Sequence, residues 1–327
     1  MQQQRYDAVC LGLLVADMFV TPMARLPAAG ELLAVDDIQF DVGGCAANTA
    51  NTLTKLGRKV ALIGKVGQDA FGSFVIQESA RRGLDVQGIR ASTHLPTSKT
   101  VILPVISEDR RYVHTFGANA DLSLADIDSE LVAQSRLLYV GGYLVLPKLD
   151  PRSLRQLFEF ARQRGIITVL DVVVPANFGH ASDLADSLSG VLPYTDLFLP
   201  NDDEAKRLTG ETEPHRQAQA FLAYGCQTVV ITLGQDGALV RTQRESFRAP
   251  AFPVQAVDFS GAGDAFAAGF AYGLLEGWPL PQALEFASAI GASACTQLGC
   301  TAGIMSVPDT MAFLAANHLP IARQEFA

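Results

Sequence analysis

Hydrophobic and polar positions alternate between two rhythms along this chain. Continuous apolar runs at Ala8–Val15, Val60–Val66, Leu137–Gly141, Ile166–Val174, Asp196–Pro200 and Thr228–Leu233 read as buried strands. Between them lie stretches of helical spacing. Asn48–Leu56 is stopped by Gly57, Asp69–Arg82 by Gly83, and Asp150-Pro151 opens a helix that runs to Gly165. Gln217–Tyr224 is a further helix, and Gln235-Asp-Gly237 has the composition of a hairpin turn. A helix follows Asp264 as far as Gly277-Trp-Pro279, and another begins near Pro281 and ends around Gly299. Strands alternating with helices predict an α/β fold, a doubly wound and mainly parallel sheet with helices on both faces. Two segments, about 31–42 and 97–117, break the rhythm with mixed faces and no intervening helix. They predict a small β-sheet lid inserted into one domain spanning residues 1–327.

The polar residues that follow these apolar runs are Asp17, Asp171, Asn201 and Gly234. In open α/β sheets the carboxyl edge of the strands is where ligands bind, so these positions point to one shared site. The run Asp258-Phe-Ser-Gly-Ala-Gly-Asp264 opens a long apolar helix. Gly261, Ala262 and Gly263 allow a tight turn with outward N–H groups, and the helix adds the positive end of its dipole. A carboxylate beside such an anion hole, Asp264, can take the proton of an attacking hydroxyl. The plain alternative is a glycine-rich helix entry with Asp264 as its cap.

Three further motifs carry chemistry. Gly43 and Gly44 permit close approach to the backbone, and Asn48 can both donate to and accept from hydroxyls, with Asp17 gripping others. A turn with a capping Asn is the rival. Asn201 and Glu204, three apart at a helix start, can hold a hydrated Mg²⁺ near phosphates. Their rival is a capping box, with Asp202 or Asp203 as the cap. Thr232, Gly234 and Gly237 end a strand in a glycine turn whose donors suit nucleotide phosphates, against a plain hairpin. Neither the P-loop string nor the dinucleotide fingerprint occurs.

Composition narrows the classes. The 327 residues are 49% hydrophobic and carry a formal charge of −9, with no Lys/Arg cluster longer than a pair. Nucleic acid and membrane partners are therefore not expected. Cys10, Cys45, Cys226, Cys295 and Cys300 form no C-x-x-C pair, and the histidines lack metal-ligand spacing. No signal pattern precedes the first strand, so a reduced cytoplasmic protein is the expectation.

The order Gly43-Gly44…Asn48, Asn201-x-x-Glu204, Thr232-Leu-Gly234-x-x-Gly237 and Asp258-x-x-Gly-Ala-Gly-Asp264 resembles the ribokinase-like (PfkB) carbohydrate kinases, from about Ala8 to Pro308. The resemblance implies a doubly wound fold with a β-sheet lid. It implies Asp264 as general base, Gly261–Gly263 as the hole for the transferred phosphoryl group, and a sugar held by Asp17, Gly43, Gly44 and Asn48. ATP would lie along Asn201, Thr232, Gly234 and Gly237, with Mg²⁺ at Glu204. Asp258 and Ser260, with the loop Thr296–Met305, match where relatives hold a monovalent cation such as K⁺. Phe259 stands where relatives carry Thr, and Ser288 near where some carry Asn.

The expected function is ATP-dependent phosphorylation of a hydroxyl on a small sugar. A nucleoside kinase is the nearest rival and would need Phe40, Phe116 or Tyr143 as a slab for the base. A phosphosugar kinase would rely on Arg110, Arg111 and His114 in the lid, and an idle sugar-binding protein would need no base. Exposed lid edges suggest a homodimer through the lid.

Overall fold

The computed structural model describes residues 4–106, 111–174 and 187–324. Strands β1 (Tyr6–Gly12), β4 (Val60–Gly67) and β5 (Asp85–Ser92) form one wing of a ten-stranded sheet. The other wing is β8 (Ser135–Gly141), β9 (Ile167–Leu170), β10 (Leu197–Phe198) and β11 (Thr228–Thr232), and these seven strands are parallel. Beyond β11 the sheet continues antiparallel through β12 (Ala238–Thr242), β13 (Ser246–Ala249) and β14 (Ala322–Gln324). The chain leaves β1 toward β4 on one side and later returns to β8 on the other. That reversal opens a crevice at the carboxyl ends of β1 and β8.

A second sheet has the order β3-β2-β6-β7, built from β2 (Val15–Val20), β3 (Ile38–Gly43), β6 (Lys99–Leu103) and β7 (Arg111–Thr115). The lid therefore exists, with one strand more than the two irregular segments supplied. Ala8–Val15 was expected to be a single strand ending at Asp17. Instead the chain breaks after Gly12 and re-enters the lid as β2, so Asp17 lies inside a lid strand. The cause is local. Gly12 has φ +142°, where a Cβ would meet the Gly141 carbonyl oxygen at 2.1 Å. Asn119 then clamps the turn: its Oδ1 accepts from Leu14 N at 3.1 Å and its Nδ2 donates to Leu14 O at 2.9 Å. Strand order in the first lid segment begins only at Ile38.

Hydrophobic residues pack on both faces of the main sheet. One face carries the helices Cys45–Lys55, Ala262–Leu275 and Leu280–Ala294, and the other carries Pro151–Arg162, Asp202–Thr209 and Pro214–Ala223. The Ala262–Leu275 helix is apolar nearly all round, as its buried position demands. Its glycines set how closely the next helix approaches. A Cβ on Gly269 would lie 2.8 Å from Ala287 Cα, and one on Gly273 would lie 2.7 Å from Ala283 Cβ. This tight pair seats the body of the helix that carries Asp264 in its first turn. Among the described residues no helix is long and apolar enough to cross a membrane.

Candidate active site

Gly261 caps the Ala262–Leu275 helix in the left-handed region, φ +74°, where a Cβ would come within 2.6 Å of the Cys300 carbonyl oxygen. Gly263, by contrast, has nothing within 4 Å of its would-be Cβ, so its backbone is open to a ligand. The first-turn N–H groups have no i−4 acceptor inside the helix and carry the positive end of its dipole. Asp258 braces this loop from below. Its Oδ1 accepts from Ser260 N at 2.9 Å and its Oδ2 from Gly299 N at 3.0 Å.

Asp264 does not cap its own helix, which has no side-chain cap. Its Oδ2 accepts from Asn48 Nδ2 at 2.8 Å, and Thr49 Oγ1 donates to its main-chain oxygen at 3.4 Å. Burial raises its carboxyl above the usual carboxylate range, while hydrogen bonds from Asn48 and Cys45 pull it back. A carboxylate raised in this way makes a better proton acceptor near neutral pH.

The close approach at the di-glycine turn is made by the chain itself rather than left open. A Cβ on Gly43 would sit 1.8 Å from Asp17 Oδ2, and Gly44, at φ +92°, would place one 2.4 Å from the Leu13 carbonyl oxygen. Asp17 pairs with Asp41 across β2 and β3 and with Thr100 across β2 and β6. Burial pushes its carboxyl up to about 7; the charges of Asp41 and Asp264 add to the rise and a Thr100 hydrogen bond opposes it. Asp17, Gly43, Gly44, Asn48 and Asp264 are thus one connected group.

Asn201 and Glu204 form a reciprocal capping box. Asn201 Oδ1 accepts from Glu204 N at 2.8 Å, and Glu204 Oε2 accepts from Asn201 N at 2.9 Å. The rival capping reading is the observed geometry, but the cap is Asn201, and Asp202 and Asp203 are first-turn residues. Capping leaves Glu204 at the site: burial lifts its carboxyl to about 7, against hydrogen bonds from the backbone of Asn201 and Val174. It lines a cavity of 170 Å³ with Cys45, Asp171, Asn201, Thr232 and Asp264. A larger cavity of 740 Å³ adjoins it, bounded by Gly234, Gly237, Phe252, Phe259, Ser288 and Ala292. Asn201, Thr232, Gly263 and Phe266 line both, so the path from the large cavity to Asp264 passes the open backbone of Gly263. Gly234–Gly237 is indeed a tight turn joining the antiparallel strands β11 and β12, and it also edges the large cavity.

Three residues missed by motif reading stand here. Asp171 was noted only as a strand-end residue. Its Oδ2 accepts from Tyr139 Oη at 2.7 Å, and burial, with the charges of Asp264 and Glu204, raises it well above the ordinary value. Cys45 sits between the di-glycine and Asn48, with nothing in sequence to mark its thiol. Lys55 Nζ donates to the Thr301 carbonyl at 2.5 Å, so an ammonium already serves the loop Thr296–Met305. No signal in the sequence linked those two segments.

The proposed base-binding slab is not assembled. Phe40 packs toward Phe71 and Phe74 at 6.2 and 6.5 Å, Phe116 lies edge-on to His114 at 4.7 Å, and buried Tyr143 donates to the Ser187 carbonyl. His114 Nδ1 is 3.0 Å from Thr100 Oγ1, Arg111 starts β7, and Arg110 lies outside the described residues.

A family model described as pfkB family carbohydrate kinase matches residues 6–306. The chain is an ATP-dependent carbohydrate kinase of the PfkB family. This kinase is 32% identical to the ribokinase of Haemophilus influenzae over 95% of its own length and 99% of the relative's. It is 26% identical to the 5-dehydro-2-deoxygluconokinase of Clostridium perfringens, covering 96% and 94% of the two chains. An E. coli protein solved in complex with ATP and Mg²⁺ shares the fold at a TM-score of 0.80, with 22% identity and 95% and 99% coverage. The PfkB kinase thus has ribokinase-like architecture, and the sequence-expected fold and family hold.

Proposed function

We propose that this PfkB kinase transfers a phosphoryl group from ATP to a hydroxyl of a free, uncharged sugar, with Asp264 as general base. One observation carries the reading. The hydrogen bond from Asn48 to Asp264 joins the sugar-side helix to the helix whose first turn offers an open anion hole at Gly261–Gly263. A hydroxyl held by Asn48 and Asp17 would lie beside its proton acceptor and face the large cavity past Gly263.

The chain's own groups divide the work. Asp264 takes the hydroxyl proton at its carboxylate; Gly261 to Gly263 present N–H groups to the charge on the transferred group. Thr232, Gly234 and Gly237 position the phosphates, and the apolar walls of the large cavity hold the base. Glu204, which lines the smaller cavity beside Asn201, has no ion pair among the described residues and fits a hydrated divalent cation. Mg²⁺ held through Asn201 and Glu204, when bound, would neutralise charge on the phosphates. Both Asp258 oxygens accept backbone N–H groups, so a monovalent cation in the loop Thr296–Met305 would rest mainly on carbonyls.

Two observations favour an uncharged sugar. The charges of Asp264 and Asp41 already disfavour a charge on Asp17, and nearby Arg82 is already paired with Asp41 and Glu78. A sugar acid or phosphosugar would add a third negative charge there. The lid belongs to the same kinase domain in this reading, and its exposed edges, β3 and β7, are the surfaces through which two copies would pair.

The test is ADP release with ATP and Mg²⁺ across free sugars, sugar acids, phosphosugars and nucleosides, with Asp264→Asn as control. An Asp264-dependent hit among free sugars supports the reading. A hit confined to sugar acids, phosphosugars or nucleosides overturns the substrate class. Silence throughout, with sugars still raising the melting temperature, would leave a binding protein.

A further inference from the structure

Cys45, Asp171 and Asp264 approach from three separate elements: the start of a helix, the end of β9 and the first turn of another helix. One ligand atom from each lies within 4.8 Å of the others. Both carboxylates are oriented from behind, Asp171 by the Tyr139 hydroxyl at 2.7 Å and Asp264 by the Asn48 amide at 2.8 Å. Such outer-sphere hydrogen bonds are what hold metal ligands in place. Neither carboxylate has an ion-pair partner among the described residues. A second observation also points to a ligand. Asn48 is only 4% exposed and fixed against Asp264, yet its Oδ1 has no partner. The adjoining 170 Å³ cavity leaves room for an ion and its water.

We propose that these three side chains form a site for a thiophilic divalent cation, Zn²⁺ or Cd²⁺, distinct from the Mg²⁺ position at Asn201 and Glu204, and that its occupancy shuts the kinase off. Mg²⁺ demands oxygen ligands and keeps its waters, so a thiol does not attract it. Zn²⁺ accepts sulfur at ~2.3 Å and carboxylate oxygen at ~2.0–2.2 Å, which requires the three atoms to close by about 1 Å through side-chain torsions. On binding, the Cys45 Sγ–H bond breaks, the sulfur–metal bond forms from the thiolate pair, and the proton leaves to solvent. The Asp264 oxygen lone pair then lies on the metal and cannot accept a proton from a sugar. The site itself does not depend on Asp264 being the base; only the inhibition does.

Titrating the whole protein with Cd²⁺, without ATP or sugar, reads the site directly through the thiolate-to-cadmium absorption band in the ultraviolet. One Cd²⁺ per chain is expected, with the band lost in Cys45→Ser and the affinity weakened about 10-fold or more in Asp171→Asn and Tyr139→Phe. Circular dichroism and melting curves confirm that each variant is folded. Zn²⁺ added to turnover assays at constant excess Mg²⁺ should inhibit wild type, and Cys45→Ser should need at least about tenfold more Zn²⁺ for the same fractional loss. Absence of the band in wild type, or an unchanged band in folded Cys45→Ser, overturns the site. A Cys45-dependent band without Cys45-dependent inhibition overturns the regulatory role and leaves the site standing. A band present together with an active Asp264→Asn would instead locate the failure in the assignment of the base.

Discussion

The proposed sugar half and the proposed nucleotide half of this site are built on opposite principles. On the sugar side, Asp17, Asn48 and Asp264 are polar groups held so tightly that a single Cβ on Gly43 would overlap a carboxylate oxygen at 1.8 Å. On the nucleotide side, a 740 Å³ cavity is walled by Phe252, Pro253, Val254, Ala256 and Phe266, and Phe259 at its edge is 60% exposed. Ser288 lines it, but its hydroxyl donates to Leu284 O at 2.8 Å within its own helix. Recognition by buried, fixed hydrogen-bonding groups discriminates steeply, whereas apolar contact does not. On the proposed assignment, the sugar is therefore selected by buried, fixed polar groups and the phosphate donor is accommodated by apolar contact.

This contrast can be broken at graded points. Asp264→Asn removes the acceptor and should lower kcat on the order of 10²–10⁴-fold while sugar still raises the melting temperature; near-normal turnover would take Asp264 out of the base role. Gly43→Ala should displace Asp17 and reduce kcat/KM for the sugar roughly 10²-fold, with KM for ATP little changed. An equal loss on both substrates would show that the halves are not independent. Glu204→Gln lies at their boundary and should raise the Mg²⁺ needed for half-maximal rate about tenfold, and an unshifted titration would leave only its capping role. Replacing ATP by GTP should change kcat/KM by less than about tenfold, since few side-chain donors face the base; a steeper preference would mean that backbone groups read it.

The smallest effect concerns pH. The folded-state pKa of Asp17 is raised to about 7 from 3.8, so between those values the folded chain holds a proton that the unfolded chain releases. Stability from this group is full below the unfolded value and falls as pH rises toward about 7. Wild type should lose melting temperature relative to Asp17→Asn over that interval, by a few degrees. Parallel curves for the two proteins would show that Asp17 is ionised in the fold at lower pH. Glu204, also raised to about 7, contributes to both proteins alike.

Much of the site was readable because glycine and capping chemistry are local. Gly261 takes a left-handed cap that excludes a Cβ, and the Asn201–Glu204 box satisfies backbone groups three residues apart, so short strings carry both. Asp171 was visible only as a polar residue after an apolar strand, because its partners Tyr139 and Asp264 are distant in sequence. The break after Gly12 was not readable, because the Gly141 carbonyl that forbids a side chain and the Asn119 amide that clamps Leu14 come from elsewhere in the chain. Lys55 on the Thr301 carbonyl, 246 residues away, is the same kind of fact.

By itself, then, the sequence determined the alternation of strands and helices, the glycine turns, the carboxylate at the entry of a long apolar helix and the family, since each rests on neighbouring residues or on motif order. Tertiary structure alone decided that β2 belongs to the lid, that Asn48 holds Asp264, and that Cys45 and Asp171 meet it. Those relations depend on how closely the β1–β8 crevice and the Ala262–Leu275 helix come together, and that spacing is set by packing against residues distant in the chain.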